Sequence, residues 1–303
     1  MKYKKWLDEN IGDLTNKNII VTGANSGIGF YTTLCLVYKG ANVIMACRNL
    51  NKANKAKEEI LKVVNNAKLD IIQLDLSDFN SIENFNKELR KKYNKIDCLI
   101  NNAGVYFMPK EVTKQGYEIT MGTNFLGPYY LTCTLIDLLK ENKSTIINVS
   151  SIVHKKAKID FNDFFGNNVN RNKIYARSKL AITSFSYYLS EVLNEYGCKV
   201  ITAHPGISAT NILAPKAGGF SVWFSKLGSR FLKLFSHSPF KASLSIVKGL
   251  SENSKNNDFC GPRIFEISGY PKKVKYSKNS ILYKGEIINK AKDLTNKDLN
   301  LYI

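Results

Sequence analysis

Short apolar runs recur along the chain at regular intervals: Ile19-Ile20-Val21, Val43-Ile44-Met45, Ile71-Ile72, Leu99-Ile100, Ile146-Ile147 and Val200-Ile201. Between them lie longer stretches in which apolar positions repeat with helical spacing. This pattern predicts strands over 18–21, 42–46, 70–74, 96–100, 145–149 and 199–203, with a seventh over 263–267. It predicts helices over 26–38, 51–65, 81–92 and 175–196, and helical pattern across 114–140. Continuous apolar strands spaced by amphipathic helices belong to a mostly parallel sheet covered on both faces. The expected architecture is therefore a doubly wound α/β fold with right-handed crossovers and a seven-stranded sheet. No linker divides the chain, so 1–303 is read as a single domain with its core at about 15–270.

Two stretches depart from the pattern. Residues 211–238 are rich in Gly, Phe, Ser and Lys and carry Phe220, Trp223, Phe224, Phe231 and Phe235. They read either as a core helix pair or as an amphipathic lid over a site. The tail 279–303 is polar and is expected to be partly exposed.

Composition narrows the function classes. The 303 residues are 44% hydrophobic, enough for a sizeable core. The formal net charge is +19, but the cations are scattered in short runs rather than gathered on one element. This favours compositional drift and affinity for an anionic cofactor over nucleic-acid binding, which needs a continuous basic face. The six cysteines form no Cys-x-x-Cys pair, and the three histidines have no ligand spacing, so no metal site is expected. Reduced thiols, the lack of a signal peptide and the lack of an apolar run of about 18 residues predict a cytoplasmic protein with no membrane span.

Candidate chemistry begins directly after the first strand, with Thr22-Gly23-Ala24-Asn25-Ser26-Gly27-Ile28-Gly29. Glycines there permit a tight turn and close approach of backbone to a pyrophosphate. The following helix offers free N–H groups and the positive end of its dipole. The second strand ends Ala46-Cys47-Arg48-Asn49, with no carboxylate to accept from ribose hydroxyls. Arg48 is instead suited to pair with a 2′-phosphate, which predicts NADP(H) in preference to NAD(H). The alternative is a surface arginine with no ligand. Further along, Tyr175 and Lys179 stand four residues apart on a predicted helix. Such a pair can be an ordinary exposed contact. It can also be an acid/base unit, in which a fixed ammonium lowers the phenol's pKa from about 10.

These motifs, taken in order, resemble the short-chain dehydrogenases/reductases, which have a Rossmann fold. The resemblance rests on the 22–29 loop, Asn101-Asn102-Ala103-Gly104, Asn124 in Gly-Thr-Asn, Ser150-Ser151, Tyr175/Lys179 and Pro205-Gly206. It is similar within that family to the retinol-dehydrogenase and protochlorophyllide-reductase-like branch, through Ala46-Cys47-Arg48-Asn49, His154 after Ser151, and the 261–274 segment.

The resemblance implies an oxidoreductase moving hydride between nicotinamide and a carbonyl or alcohol. It makes Tyr175 the acid/base, Lys179 the group that lowers its pKa and binds ribose, and Ser151 the donor that polarises the carbonyl. Ser150 is left structural. Asn124 is expected to bend its helix and hold a water linking Lys179 to solvent. Its own amide can equally be satisfied by backbone. The implied cofactor-binding set is Gly23, Asn25, Ser26, Gly27, Ile28, Gly29, Arg48, Asn49, Asp75, Leu76, Asn102, Ala103, Gly104, Tyr175, Lys179, Pro205, Gly206, Ile207 and Thr210. Ser151 and Tyr175 are farther apart than in simple family members, so 152–174 is read as an insertion forming one wall of an apolar substrate pocket. The expected partner is a small carbonyl or alcohol, and a homodimer and a monomer both remain open. The competing function is a catalytically silent NADP(H)-sensing or interaction protein of the same fold.

Overall fold

The computed structural model describes residues 4–106, 108–206 and 238–299. The expected lid at 211–238, apart from Ser238, lies outside the described residues, as do Ile207 and Thr210.

The apolar runs form β1 (Asn18–Thr22), β2 (Asn42–Cys47), β3 (Lys68–Gln73), β4 (Cys98–Asn101), β5 (Thr145–Val149) and β6 (Lys199–Ala203). They are joined by β7 (Phe259–Ile264) and β8 (Ser268–Lys273). Among the described residues these make one eight-stranded sheet of order β3-β2-β1-β4-β5-β6-β7-β8. All neighbours are parallel except β7 and β8. Alternate residues of one strand feed opposite layers, as the period-2 geometry requires. Ile20 joins the core layer with Leu99, Phe125, Tyr129 and Phe185, while Ile19 and Val21 join Val43, Met45, Leu34 and Leu36 on the other face.

The first helices are α1 (Lys4–Asn10), α2 (Gly27–Tyr38), α3 (Leu50–Leu61) and α4 (Phe79–Lys92). The stripe Ile82, Phe85 and Leu89 buries one face of α4, and Asp78 caps it by accepting from the Asn80 N–H. The expected helical stretch 114–140 is broken into α5 (Ile119–Met121), a π segment (Gly122–Leu126), α6 (Gly127–Thr134) and α7 (Ile136–Glu141). At Gly127 a Cβ would sit 2.3 Å from the Leu76 carbonyl oxygen, so α6 can pass this close to the third strand's end only with glycine. The longest element among the described residues, α8 (Arg171–Val192), is capped by Asn170, which accepts from the Lys173 N–H.

One expectation is corrected. The sheet has eight strands rather than seven, because the last strand region is a hairpin. Phe259 and Cys260 pair with Thr202 and Ala203, and the chain reverses through left-handed Phe265 (φ 48) and Glu266 (φ 59), so 265–267 is turn. The tail is partly exposed, as expected, and it also carries a buried stripe. Lys284–Thr295 is a helix whose Ile287, Ile288 and Ala291 join the core against α8. Tyr129 donates to the Lys297 carbonyl at 2.8 Å, and Tyr117 to that of Leu294.

Candidate active site

Strand order reverses between β1 and β4, and there the carboxyl ends of the strands open a cleft of about 380 Å³. This is where open α/β sheets bind ligands. Gly23, Asn25, Ser26, Gly27, Ile28 and Gly29 line it, with Gly27 left-handed (φ 54) at the start of α2, whose first N–H groups are free. A Cβ on Gly29 would fall 2.2 Å from the Gly23 carbonyl oxygen, so the turn closes on itself only without a side chain. Asn102 fastens this loop to β4: its amide donates to the Thr22 carbonyl at 2.8 Å. The Thr22 hydroxyl accepts from the N–H groups of Asn102 and Ala103, both at 2.9 Å. Leu76, Asn102, Ala103, Gly104 and Pro205 complete the lining near the sheet.

At the outer lip Arg48 is exposed over 69% of its side chain and stands 3.9 Å from the Asp75 carboxylate. Asn49 caps α3 by accepting from the Lys52 N–H at 2.9 Å. Asp75 is itself braced by Ser77, whose hydroxyl donates to it at 2.6 Å. Lys52 also lines the cleft. A helix N-terminus flanked by Arg48 and Lys52 is chemically matched to a dianion.

At the inner end Tyr175 and Lys179 line the cleft together from α8. The side chain of Ser151, from just beyond β5, is hydrogen-bonded to the Tyr175 phenol. Ser150 also lines the cleft, but its hydroxyl is shared with Thr183 at 2.6 Å and donates to the Lys179 carbonyl at 3.2 Å, an anchoring role for α8. Lys179 is buried, and its Nζ donates to the Val149 carbonyl at 2.9 Å. Burial pushes its pKa down to about 8.

The expected lowering of the tyrosine's pKa by this lysine is not what the geometry produces. Desolvation pushes Tyr175 up to about 12, against the opposing hydrogen bond from Ser151. The ammonium lies 5.8 Å from the centre of the phenol ring and is engaged with a carbonyl, so desolvation wins. Asn124, in the π segment, is held by the Val105 backbone and the Ser178 hydroxyl. Its Oδ1 accepts from the Val105 N–H at 2.7 Å, and its amide donates to the Val105 carbonyl at 2.9 Å and to Ser178 at 3.0 Å.

Residues 17–218 match the family model for short chain dehydrogenase. The chain belongs to the short-chain dehydrogenases. It is 36% identical to mouse (Mus musculus) retinol dehydrogenase 13 over 248 residues, which covers 80% of this chain and 74% of the mouse protein. It is also 36% identical to human retinol dehydrogenase 11 over 222 residues, 73% of this chain and 69% of that one. A solved structure of an uncharacterized protein from Mycobacterium paratuberculosis superposes with a TM-score of 0.77 at 27% identity, covering 96% and 97% of the two chains. As a short-chain dehydrogenase of retinol-dehydrogenase-like type, the chain is a hydride-transferring oxidoreductase. Among the described residues no helix is long and apolar enough to cross a membrane, and no cluster could hold a metal ion.

Three features of this dehydrogenase's site go beyond what was read from the sequence. Lys52 is one; the only signal for it was a lysine three residues after a helix-capping Asn. The others are two buried histidines. His154 is held neutral, with burial pushing its pKa down to about 4, and its Nδ1 contacts the Ser151 carbonyl at 2.7 Å. A carbonyl can only accept, so Nδ1 carries the proton. His204 is likewise kept neutral by burial. Its Nδ1 accepts from the Gly206 N–H at 3.3 Å and its Nε2 donates to Glu266 at 3.1 Å. Glu266 also pairs with Lys155 at 2.5 Å, which ties the segment after Ser151 to the β7–β8 hairpin beside Pro205-Gly206.

Proposed function

We propose that this dehydrogenase binds NADP(H) in preference to NAD(H) and reduces a small apolar carbonyl compound to the alcohol. The fit of the cofactor is supported by the Gly29 cradle, which no side chain could share, and by the Arg48 and Lys52 cations on the lip. Arg48 and Lys52 would hold the 2′-phosphate, the Gly23–Gly29 loop the pyrophosphate, and Lys179 the nicotinamide ribose. Bound NADPH supplies the hydride.

The observation that carries the reading is that Tyr175 and buried Lys179 line the inner end of the cleft, with Ser151 hydrogen-bonded to the phenol. A phenol with its pKa raised to about 12 is protonated at neutral pH and so serves as general acid toward a carbonyl oxygen. Ser151 donates a second hydrogen bond to the same oxygen as negative charge develops there. Asn124 holds a relay water near Lys179. The closeness of the Asn124 amide oxygen and the Lys179 ammonium to Gly104, 3.1 and 3.5 Å from its Cβ position, supports this role. Six free, buried cysteines support a reducing, cytoplasmic setting.

The test is NADPH consumption with a panel of aldehydes, ketones, quinones and retinoids. Tyr175→Phe should cut turnover by about 10²- to 10⁴-fold while NADPH titration is preserved. Tight NADPH binding with no turnover across the panel would point instead to a cofactor-sensing protein.

A further inference from the structure

The end of the cleft away from Arg48 lies between two turns that leave neighbouring strands. Arg48 follows β2, and across β1 the sheet runs on through β4, β5 and β6. Ser151 lies just beyond β5 and Pro205-Gly206 just beyond β6, with Pro205 lining the cleft. Among the described residues, the ladder between these strands ends where the Ser150 N–H donates to the Ala203 carbonyl at 2.7 Å, before either turn begins. Whatever spaces the two turns therefore lies outside the ladder.

Glu266 bridges them. One carboxylate oxygen accepts from the Lys155 Nζ at 2.5 Å and the other from the His204 Nε2 at 3.1 Å. Lys155 belongs to the 3-10 turn Ile152–Lys156, which begins directly after Ser151. That turn is stiff at its start, because the Ser151 carbonyl accepts from the His154 N–H at 3.1 Å and from the His154 Nδ1 at 2.7 Å. His204 precedes Pro205, and its Nδ1 accepts from the Gly206 N–H at 3.3 Å. The Phe259 ring packs against both buried imidazoles, with its centre 5.3 Å from His154 and 5.5 Å from His204. The carboxylate thus reaches both turns through one side chain each.

Glu266 stands there on backbone that most residues avoid. It and Phe265 are both left-handed, and the Phe265 side chain is 86% exposed, so its burial does not offset the conformation. The hairpin also closes hard on the Pro205-Gly206 turn. A Cβ on Gly206 would run into the Ile267 carbonyl oxygen, and one on Gly261 into the His204 ring. Strain that persists only because its surroundings over-determine it gathers at positions that serve a site. We infer that Glu266 is a positioning residue, whose carboxylate holds the Ser151 turn and the Pro205-Gly206 turn at the spacing that brings nicotinamide and carbonyl together. This role, which rests on the carbonyl-reductase reading above, falls to a residue outside the lining of the cleft.

Two variants of the full chain separate the arms. Calorimetry compares NADPH with adenosine 2′,5′-bisphosphate, which has the phosphates of the adenosine half and no nicotinamide. In Glu266→Ala the affinity for NADPH should fall about tenfold while that for the bisphosphate stays within about twofold, whereas a general loosening of the fold weakens both. NADH and ADP replace the pair if the protein takes NADH. Lys155→Met cuts only the arm to Ser151. It should lower kcat about tenfold on the aldehyde or ketone of the panel that is reduced fastest, and leave both affinities within about twofold. Lys155→Arg, which returns a cation to Glu266, should restore kcat. Equal losses for NADPH and the bisphosphate, no loss for either, or native kcat in Lys155→Met would overturn the inference. If Glu266→Ala does not fold, Lys155→Met and its rescue decide, since Lys155 is 34% exposed and tolerates replacement. If the native protein reduces nothing in the panel, carbonyl reduction is what has failed, and the two affinities in Glu266→Ala decide the positioning role.

Discussion

The tightest packing in the cofactor cleft is at Gly29, and Gly29→Ala tests whether the 22–29 loop works as described. The added Cβ would stand 2.2 Å from the Gly23 carbonyl oxygen and 2.6 Å from the Asn102 amide nitrogen, where real Cβ atoms keep at least 3.0 Å. Neither neighbour can yield cheaply. The Gly23 N–H donates to the Ala46 carbonyl at 2.8 Å, and the Asn102 amide to the Thr22 carbonyl at 2.8 Å. Overpacking against fixed groups costs about 3 kcal/mol, the upper end of its usual range. For a chain of this length that is a fall in Tm of roughly 5 °C. The same backbone shift misaligns the N–H groups that meet the pyrophosphate, each charge-assisted bond being worth about 1.5–3 kcal/mol, so NADPH affinity should drop roughly 10- to 100-fold or more. Scanning fluorimetry with and without NADPH, and a fluorescence titration, read both effects. Gly285→Ala is the control, since a Cβ there meets nothing within 4 Å. A variant that melts within about 1 °C of the native protein and binds NADPH within about twofold would refute the packing account.

Arg48→Ala should weaken NADPH binding about 10- to 100-fold and leave NADH nearly unchanged; equal losses for both would remove Arg48 from the phosphate site. Lys179 must be charged to serve the cleft and titrates near about 8, so kcat/KM should fall as pH rises through that value. A flat profile well into the alkaline range would contradict this assignment. Glu266 is held down at about 2, first by the hydrogen bond from His204 and then by Lys155. Its folded pKa is below the unfolded value, so its stabilisation is full above 4.5 and is lost as pH falls from there toward 2. Glu266→Gln should flatten that part of the acid-unfolding curve, and an unaltered curve would show that the bridge contributes nothing.

What could be read from the chain was what is encoded locally. β1, the Gly23–Gly29 loop and α2 are contiguous, so apolar run, turn and helix start declare themselves together. Arg48 was legible because it ends a strand whose position the pattern had already set. β7 and β8 were not, because Gly261-Pro262 and Gly269 with Pro271 look like breaks, and only pairing across the sheet makes them strands. The helix Lys284–Thr295 was hidden by Lys284, Lys290 and Lys292 around a thin stripe of Ile287, Ile288 and Ala291. The direction of the Tyr175 shift was beyond reach for a different reason: spacing reports which groups are near, whereas desolvation depends on everything packed around them.

That last helix also bears on the order in which the protein can be made. The α8 layer is sealed by Ile287, Ile288, Ala291 and Leu299, well after the strands of the nucleotide half have left the ribosome. β1 to β3 can pair as soon as they emerge, since the crossovers between them join neighbouring strands, and β4 then adds beside β1. The helix bearing Tyr175 must meanwhile wait, with its apolar flank uncovered, through more than a hundred further residues. Synthesis thus leaves the helix bearing Tyr175 as a stretch in need of a chaperone, and one that a premature stop would strand exposed.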